Sequence, residues 1–289
     1  MKHLIDSVLH EILSVKNLVH AISGSTASVV AISTFYPLDS ARTRLQAGDL
    51  KSKNNFSLQL IREIFEKEGI YGIYRGLSSI ITALGFSNFV YFYAYNCIKV
   101  CQKNRTATMD LLTAYTAGAI NVLLSTPLWV VNTRLKLQSN SNRYTGIIDC
   151  ASKIITAEGI KALWSGTTVS LLLASNPAIQ WMFYESLKRY VARIFHNDEL
   201  SSFTIFILSA ISKFLATFLT YPLQILQTRC RAKNSNPSAI LKAIIKEKNF
   251  QGLFLGFEAK LTQTVLTAAF MLVVYEKIVA NILTLMKSY

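Results

Sequence analysis

Charge is scarce in this chain: 16% of its 289 residues are Asp, Glu, Lys or Arg, where a soluble globular domain carries about 25%. Cysteine is scarce too. Cys97, Cys101, Cys150 and Cys230 form no CxxC pair and no metal-ligand spacing. That excludes a disulfide framework or a zinc site and leaves them as small buried apolar residues. The histidines His3, His10, His20 and His196 are scattered, and no HExxH, glycine-rich phosphate loop or GxSxG occurs. Nothing here has the layout of a metal site or an enzyme. Acids are the rarer sign, 16 against 30 Lys and Arg, for a net charge of +14.

What fills the space is apolar: 51% hydrophobic residues and a mean hydropathy of +0.33. Windows without Asp, Glu, Lys or Arg run Asn17 to Leu38, Gly76 to Ile98, Leu111 to Thr133 and Ala162 to Tyr184. Each is long enough to cross a hydrocarbon core, for which about 20 residues suffice. Two further stretches are less clean, because Lys213 interrupts Leu200 to Thr228 and Leu261 to Tyr275 is short. Basic residues sit in loops and at helix ends rather than along one exposed face. The positive balance therefore suits anionic headgroups and an anionic solute, not nucleic acid.

A repeat organises these windows. Pro37-Leu-Asp-Ser-Ala-Arg-Thr-Arg44 returns as Pro127-Leu-Trp-Val-Val-Asn-Thr-Arg134 and as Pro222-Leu-Gln-Ile-Leu-Gln-Thr-Arg229. About 30 residues beyond each proline a second element recurs: Glu68-Gly through Arg75-Gly76, Glu158-Gly through Ser165-Gly166, and a degenerate Glu247 to Gly256. Since the first two copies each hold two spans, the third is expected to hold two as well, making six transmembrane helices. The divisions are an N-terminal extension 1–14 and repeats 15–105, 106–197 and 198–289. Short amphipathic helices are predicted at Phe56 to Lys67, Ile147 to Thr156 and Ser238 to Lys248, lying flat at the interface.

A proline inside a helix removes a backbone hydrogen bond and clashes one turn back. Pro37, Pro127 and Pro222 either merely end their helices or kink them toward a common axis. Residues two and five past each proline share a helical face and so can meet at that axis.

A proline followed by an acid at +2 and bases at +5 and +7, then an acid-glycine and aromatic-base-glycine element, three times over, resembles the mitochondrial carrier family. The resemblance covers essentially the whole chain. It implies an all-α membrane protein of six transmembrane helices in three pseudosymmetric repeats, with three interfacial helices, enclosing a cavity that opens alternately to each side. Members close the motif side with ion pairs among motif residues, and the other side with pairs on the even helices.

This chain departs from that scheme. The acid positions hold Asp39, Trp129 and Gln224, and the base positions Arg42, Asn132 and Gln227. Cyclic pairing would set Arg42 on Trp129, Asn132 on Gln224 and Gln227 on Asp39, contacts worth about 0.5 to 2 kcal/mol each and none an ion pair. On the other side Lys99 would meet Glu276, Lys188 would meet Asn96, and Glu185 would meet Val279. The motif side is therefore expected to be loosely latched, so that exchange need not be strict. Arg44, Arg134 and Arg229 are assigned to gate-end structure or lipid.

Pro127-Leu-Trp-Val-Val-Asn132, Asn176-Pro-Ala-Ile-Gln180, Ser87-Asn-Phe-Val-Tyr-Phe-Tyr93 and Tyr221-Pro-Leu-Gln224 are similar to the family's peroxisomal branch. That branch implies transport of adenine nucleotides or adenine-containing cofactors (CoA, FAD, NAD, AMP or ATP), with a mitochondrial inner-membrane carrier of nucleotides or another anion as the alternative. It implies peroxisomal membrane-protein import machinery and phospholipids as partners, and a monomer with no bound cofactor. The first 20 residues, with Asp6 and Glu11, lack the acid-free character of a transit peptide.

Lys213 lies 11 residues before Gln224 and 14 before Gln227, on one helix face, so it should point inward. Lys260 and Thr264 are one turn apart, with Gln263 beside them. By the resemblance, solute contacts fall near Gln263 and Thr264 and in matching windows holding Asn88, Asn176 and Gln180. Those three amides suit ligand contact or helix packing equally well. Phe89, Tyr91 and Tyr93 are candidates for stacking on a base or for packing.

Overall fold

A computed structural model describes residues 15–48, 57–100, 106–138, 144–195 and 201–287. The expected extension 1–14, Cys101 and much of the linkers at 102–108 and 196–198 lie outside the described residues. Among the described residues all regular structure is helical. The helices are α1 (Val15–Thr34), α2 (Tyr36–Ala47), α3 (Ser57–Ile73), α4 (Leu77–Val100), α5 (Ala107–Leu137) and α6 (Ile147–Glu158). They continue as α7 (Thr167–Leu173), α8 (Asn176–Phe195), α9 (Ser202–Lys233), α10 (Pro237–Lys248) and α11 (Phe257–Lys287). Two 3-10 turns, Ile160–Trp164 and Asn249–Phe254, precede α7 and α11. α4 packs along α5, α8 along α9, and α11 returns onto α1, closing a ring.

The three prolines act differently. Pro37 sits in the first turn of α2, after a break at Phe35, where its missing N–H is one that no helical carbonyl needs. Pro127 and Pro222 lie inside unbroken helices of 31 and 32 residues, so at those two sites the helix does not end. The carbonyl of Leu123, one turn before Pro127, accepts the Trp164 indole N–H at 2.8 Å. A freed polar group is thus satisfied from a neighbouring element, as a membrane interior requires. The expected convergence holds: α2, α5 and α9 all touch one another.

Among the described residues, four helical stretches are by themselves long and apolar enough to cross a membrane: Leu77–Val100, Met109–Leu137, Phe203–Lys233 and Phe250–Ile282. Gly76 to Ile98 and Leu111 to Thr133 are borne out, and the order of the remaining windows changes. The two stretches that looked less clean are continuous, while the first window breaks at Phe35 and Ala162 to Tyr184 is divided into a 3-10 turn, α7 and α8. Pro177, just inside α8, supplies the second break.

Each repeat has its own small core, where the helix past the proline meets the amphipathic helix. Leu45 packs with Leu60 and Ile64, Val131 and Leu135 with Cys150 and Ile154, and Leu226 and Cys230 with Ile240 and Ile244. Phe65 and Ile245, next in sequence to the buried Ile64 and Ile244, are exposed. Cys150 and Cys230 are buried as expected, whereas Cys97 is exposed.

Glycine is required where the repeats join. Gly76, Gly166 and Gly256 have φ of +85, +82 and +74. A Cβ on Gly166 would lie 3.2 Å from Cys230 Cβ and 3.3 Å from the Gln227 carbonyl of the next repeat, and one on Gly76 would lie 3.2 Å from Lys136 Cγ. Left-handed backbone and close approach both demand the absent side chain.

Arg44 forms two hydrogen bonds to Glu68, at 2.6 and 2.9 Å, and Arg134 pairs with Glu158 through both nitrogens. The two recurring landmarks are therefore bolted together in two repeats, and these arginines serve structure. Arg229 donates to the Gln46 carbonyl at 3.0 Å. The bonds from Arg44 and Arg134 hold the Glu68 and Glu158 carboxyls below their ordinary 4.5. A lowered folded value stabilises the fold above the unfolded value, and that contribution disappears as pH falls through the folded one. The apparent melting temperature in detergent should therefore be flat between about pH 7 and pH 5.5 and drop below about pH 4.5, with a shallower acid arm in E68Q/E158Q. An acid arm of unchanged depth in that variant would contradict the assignment.

Candidate functional site: a cation-lined cavity

The ring encloses a cavity of about 550 Å³. Arg42, Lys213, Arg231 and Lys260 line it, and among the described residues no Asp or Glu does. Each arrives from a different element or depth. Arg42 stands on α2 five residues past Pro37, Lys213 one helical face above Gln224 on α9, Lys260 in the first turns of α11, and Arg231 near the end of α9. Lys213 donates to Gln180 Oε1 at 3.1 Å, and Arg42 lies 3.0 Å from Asp39. Among the described residues, Lys213, Lys260 and Arg231 take part in no ion pair.

The expected solute residues divide. Asn176, Lys213, Lys260 and Thr264 line this cavity, and Gln180 joins it through Lys213. Asn176 also donates to Thr220 Oγ1 at 2.6 Å, tying α8 to α9. Gln263 is not a cavity residue: it donates to Asp39 Oδ1 at 3.1 Å, below the cavity floor. Asn88 is exposed outside the lining, where its neighbour Ser87 faces inward and donates to Asn121. Phe89 and Tyr93 stack on each other and are exposed.

At the proline end the expected pairing is overturned. Arg42 bonds Asp39 of its own repeat rather than meeting Trp129. Asn132 donates to Ser79 Oγ at 2.6 Å and the Gly76 carbonyl at 3.2 Å instead of meeting Gln224. Gln227 donates to Ser170 Oγ at 2.7 Å instead of meeting Asp39, and Gln224 donates to Thr220 Oγ1 of its own helix at 3.4 Å. The physical reason is reach: at two of the three junctions the residue nine past the proline points across the axis and takes the partner first. Lys136 forms an ion pair with Asp39, both buried (3% and 4% exposed). The Arg231 guanidinium lies over the Trp129 ring at 5.8 Å. Gln46 bonds Tyr221 and Thr228. The proline end is therefore latched by a buried ion pair after all.

Among the described residues, the opposite end has no matching ion-pair latch. Lys99 lies 5.5 Å from the Tyr95 ring centroid and does not reach Glu276, while Asn96 and Glu276 are exposed. Glu185 and Lys188 line a second cavity of about 530 Å³ with Gln180, Trp181 and Tyr184. Among the described residues, no ion pair joins Lys99, Lys188, Glu185 or Glu276. A central cavity latched at one end and unlatched at the other is the geometry of a carrier caught on one side of its cycle.

The family model for "Mitochondrial carrier protein" matches three times, over residues 14–106, 103–195 and 198–285. The chain belongs to the mitochondrial carrier family. This carrier is 46% identical to the peroxisomal membrane protein PMP34 of Mus musculus over 95% of its own length and 96% of the relative's. It is 32% identical to mitochondrial nicotinamide adenine dinucleotide transporter 1 of Saccharomyces cerevisiae, over 89% and 75%. It is 29% identical to peroxisomal adenine nucleotide carrier 1 of Glycine max, over 93% and 92%.

Proposed function

We propose that this carrier moves adenine nucleotides or adenine-containing cofactors (CoA, FAD, NAD, AMP or ATP) across the peroxisomal membrane by alternating access, in exchange. The observation that carries the reading is the cavity that, among the described residues, is lined by four cations and no carboxylate, three of them outside any ion pair. Cations held outside ion pairs in a membrane interior are costly unless a solute supplies the negative charge. Amides at Asn176 and Gln180 add hydrogen bonding suited to a base or ribose. Two relatives whose names say peroxisomal support the compartment. The yeast mitochondrial relative keeps the mitochondrial inner membrane as a second reading. We take the protein to work as a monomer among phospholipids, inserted by the peroxisomal membrane-protein import machinery.

Purified protein in liposomes, offered radiolabelled CoA, NAD, FAD, AMP, ATP, a pyrimidine nucleotide and a dicarboxylate, should take up adenine-containing solutes at least about tenfold faster than the rest. Equal uptake of the dicarboxylate would remove the substrate class. Tagged protein imaged against peroxisomal and mitochondrial markers decides the compartment.

A further inference from the structure

Three positions nine past the prolines, Gln46, Lys136 and Arg231, reach across the axis. Two of them are cations, and each reaches the residue two past the proline of the preceding repeat. Lys136 finds the carboxylate of Asp39 there, and Arg231 finds the indole of Trp129. One junction between repeats is thus a completed ion pair, while the next holds a cation without its anion.

The surroundings of Arg231 do not supply that anion. Its Nη2 shares the Ser170 hydroxyl, at 3.2 Å, with Gln227, and that hydroxyl spends its proton on the Gly166 carbonyl. Its Nε is buried with no hydrogen-bond partner. Among the described residues no carboxylate pairs with it. The side chain borders both the main cavity and the smaller void beneath it. The Trp129 indole, 5.8 Å from the guanidinium carbon, attracts the cation without using any of its N–H groups, and guanidinium N–H donors match phosphate oxygens in pairs.

We propose that Arg231, seated on Trp129 at the cavity floor, is an anion anchor that takes a phosphate or pyrophosphate group. The bound group stands where repeat two lacks an acid, so the solute itself completes the junction between repeats two and three. This deepens the nucleotide reading and rests on it for the identity of the solute. The anchor is tested separately with pyrophosphate alone, which contains no adenine.

Thermal unfolding of the detergent-solubilised protein is followed against pyrophosphate, inorganic phosphate, adenosine and a short-chain phosphatidic acid. Pyrophosphate should raise the melting temperature of wild type, and adenosine should not. In R231Q the half-maximal concentration should rise at least about tenfold, and R231K should recover part of it. W129D keeps Arg231 and gives it an internal carboxylate, so its ligand-free melting temperature should rise while the pyrophosphate shift disappears. A W129D protein that melts lower but keeps the full shift would make Arg231 a structural cation only and overturn the proposal. An equal shift in R231Q, or no shift in wild type, also overturns it. A shift with phosphatidic acid alone would assign the site to lipid and overturn the solute assignment. If pyrophosphate behaves as expected but the liposome panel shows no adenine preference, the anchor stands and the substrate class falls.

Discussion

Replacing Lys136 by glutamine should lower the apparent melting temperature in detergent more than replacing any cavity-lining lysine. Lys136 and Asp39 are both buried and directly paired, and breaking a buried pair on one side typically costs about 3 to 5 kcal/mol because the other charge is left behind. Asp39 keeps Arg42 at 3.0 Å and Gln263 at 3.1 Å, which places the loss near the lower end of that range. The paired test is a cycle of D39N, K136Q and the double variant. The double should cost less than the sum of the singles, with a coupling of about 2 kcal/mol, since each removes the same contact. The functional signature is uncoupled transport: with the latch weakened, unidirectional efflux should rise relative to exchange. Additive melting shifts together with unchanged efflux would show that the pair is not a latch.

Removing both Lys213 and Lys260 should nearly abolish uptake while leaving the fold intact. Neither is in an ion pair among the described residues, so truncation strands no buried carboxylate. On the proposed function each would supply a charge-assisted hydrogen bond to an anionic solute, worth about 1.5 to 3 kcal/mol. Losing two lowers uptake kcat/KM by at least about a hundredfold, since about 1.4 kcal/mol is a factor of ten. The single variants K213A and K260A should each lose about tenfold, mainly through KM. A double variant that melts like wild type and still transports within about twofold would exclude these lysines from the solute path.

Gln46, Lys136 and Arg231 occupy one place in the three proline segments, nine residues past each proline, and that recurrence is legible in the amino-acid order. The pairing scheme stopped at positions two and five, because those share a helix face at short range. Position nine lies two turns further, and whether it reaches across an axis depends on how closely the helices converge. Gln263 was likewise placed at the right depth on α11 but beside the wrong neighbours. It turns below the floor to Asp39, a choice of rotamer and helix rotation that no spacing rule decides.

The amino-acid order alone determined the repeat, the membrane environment, the helical class and the inward direction of Lys213. Those follow from local periodicity and from the cost of charge in hydrocarbon, which act residue by residue. Tertiary structure decided which side chain meets which at the closed end, where the fourth crossing divides, and which end stands unlatched. These depend on distances across the bundle axis, set by the packing of Gly76, Gly166 and Gly256 against the next repeat, and partners there compete by reach rather than by position in the chain.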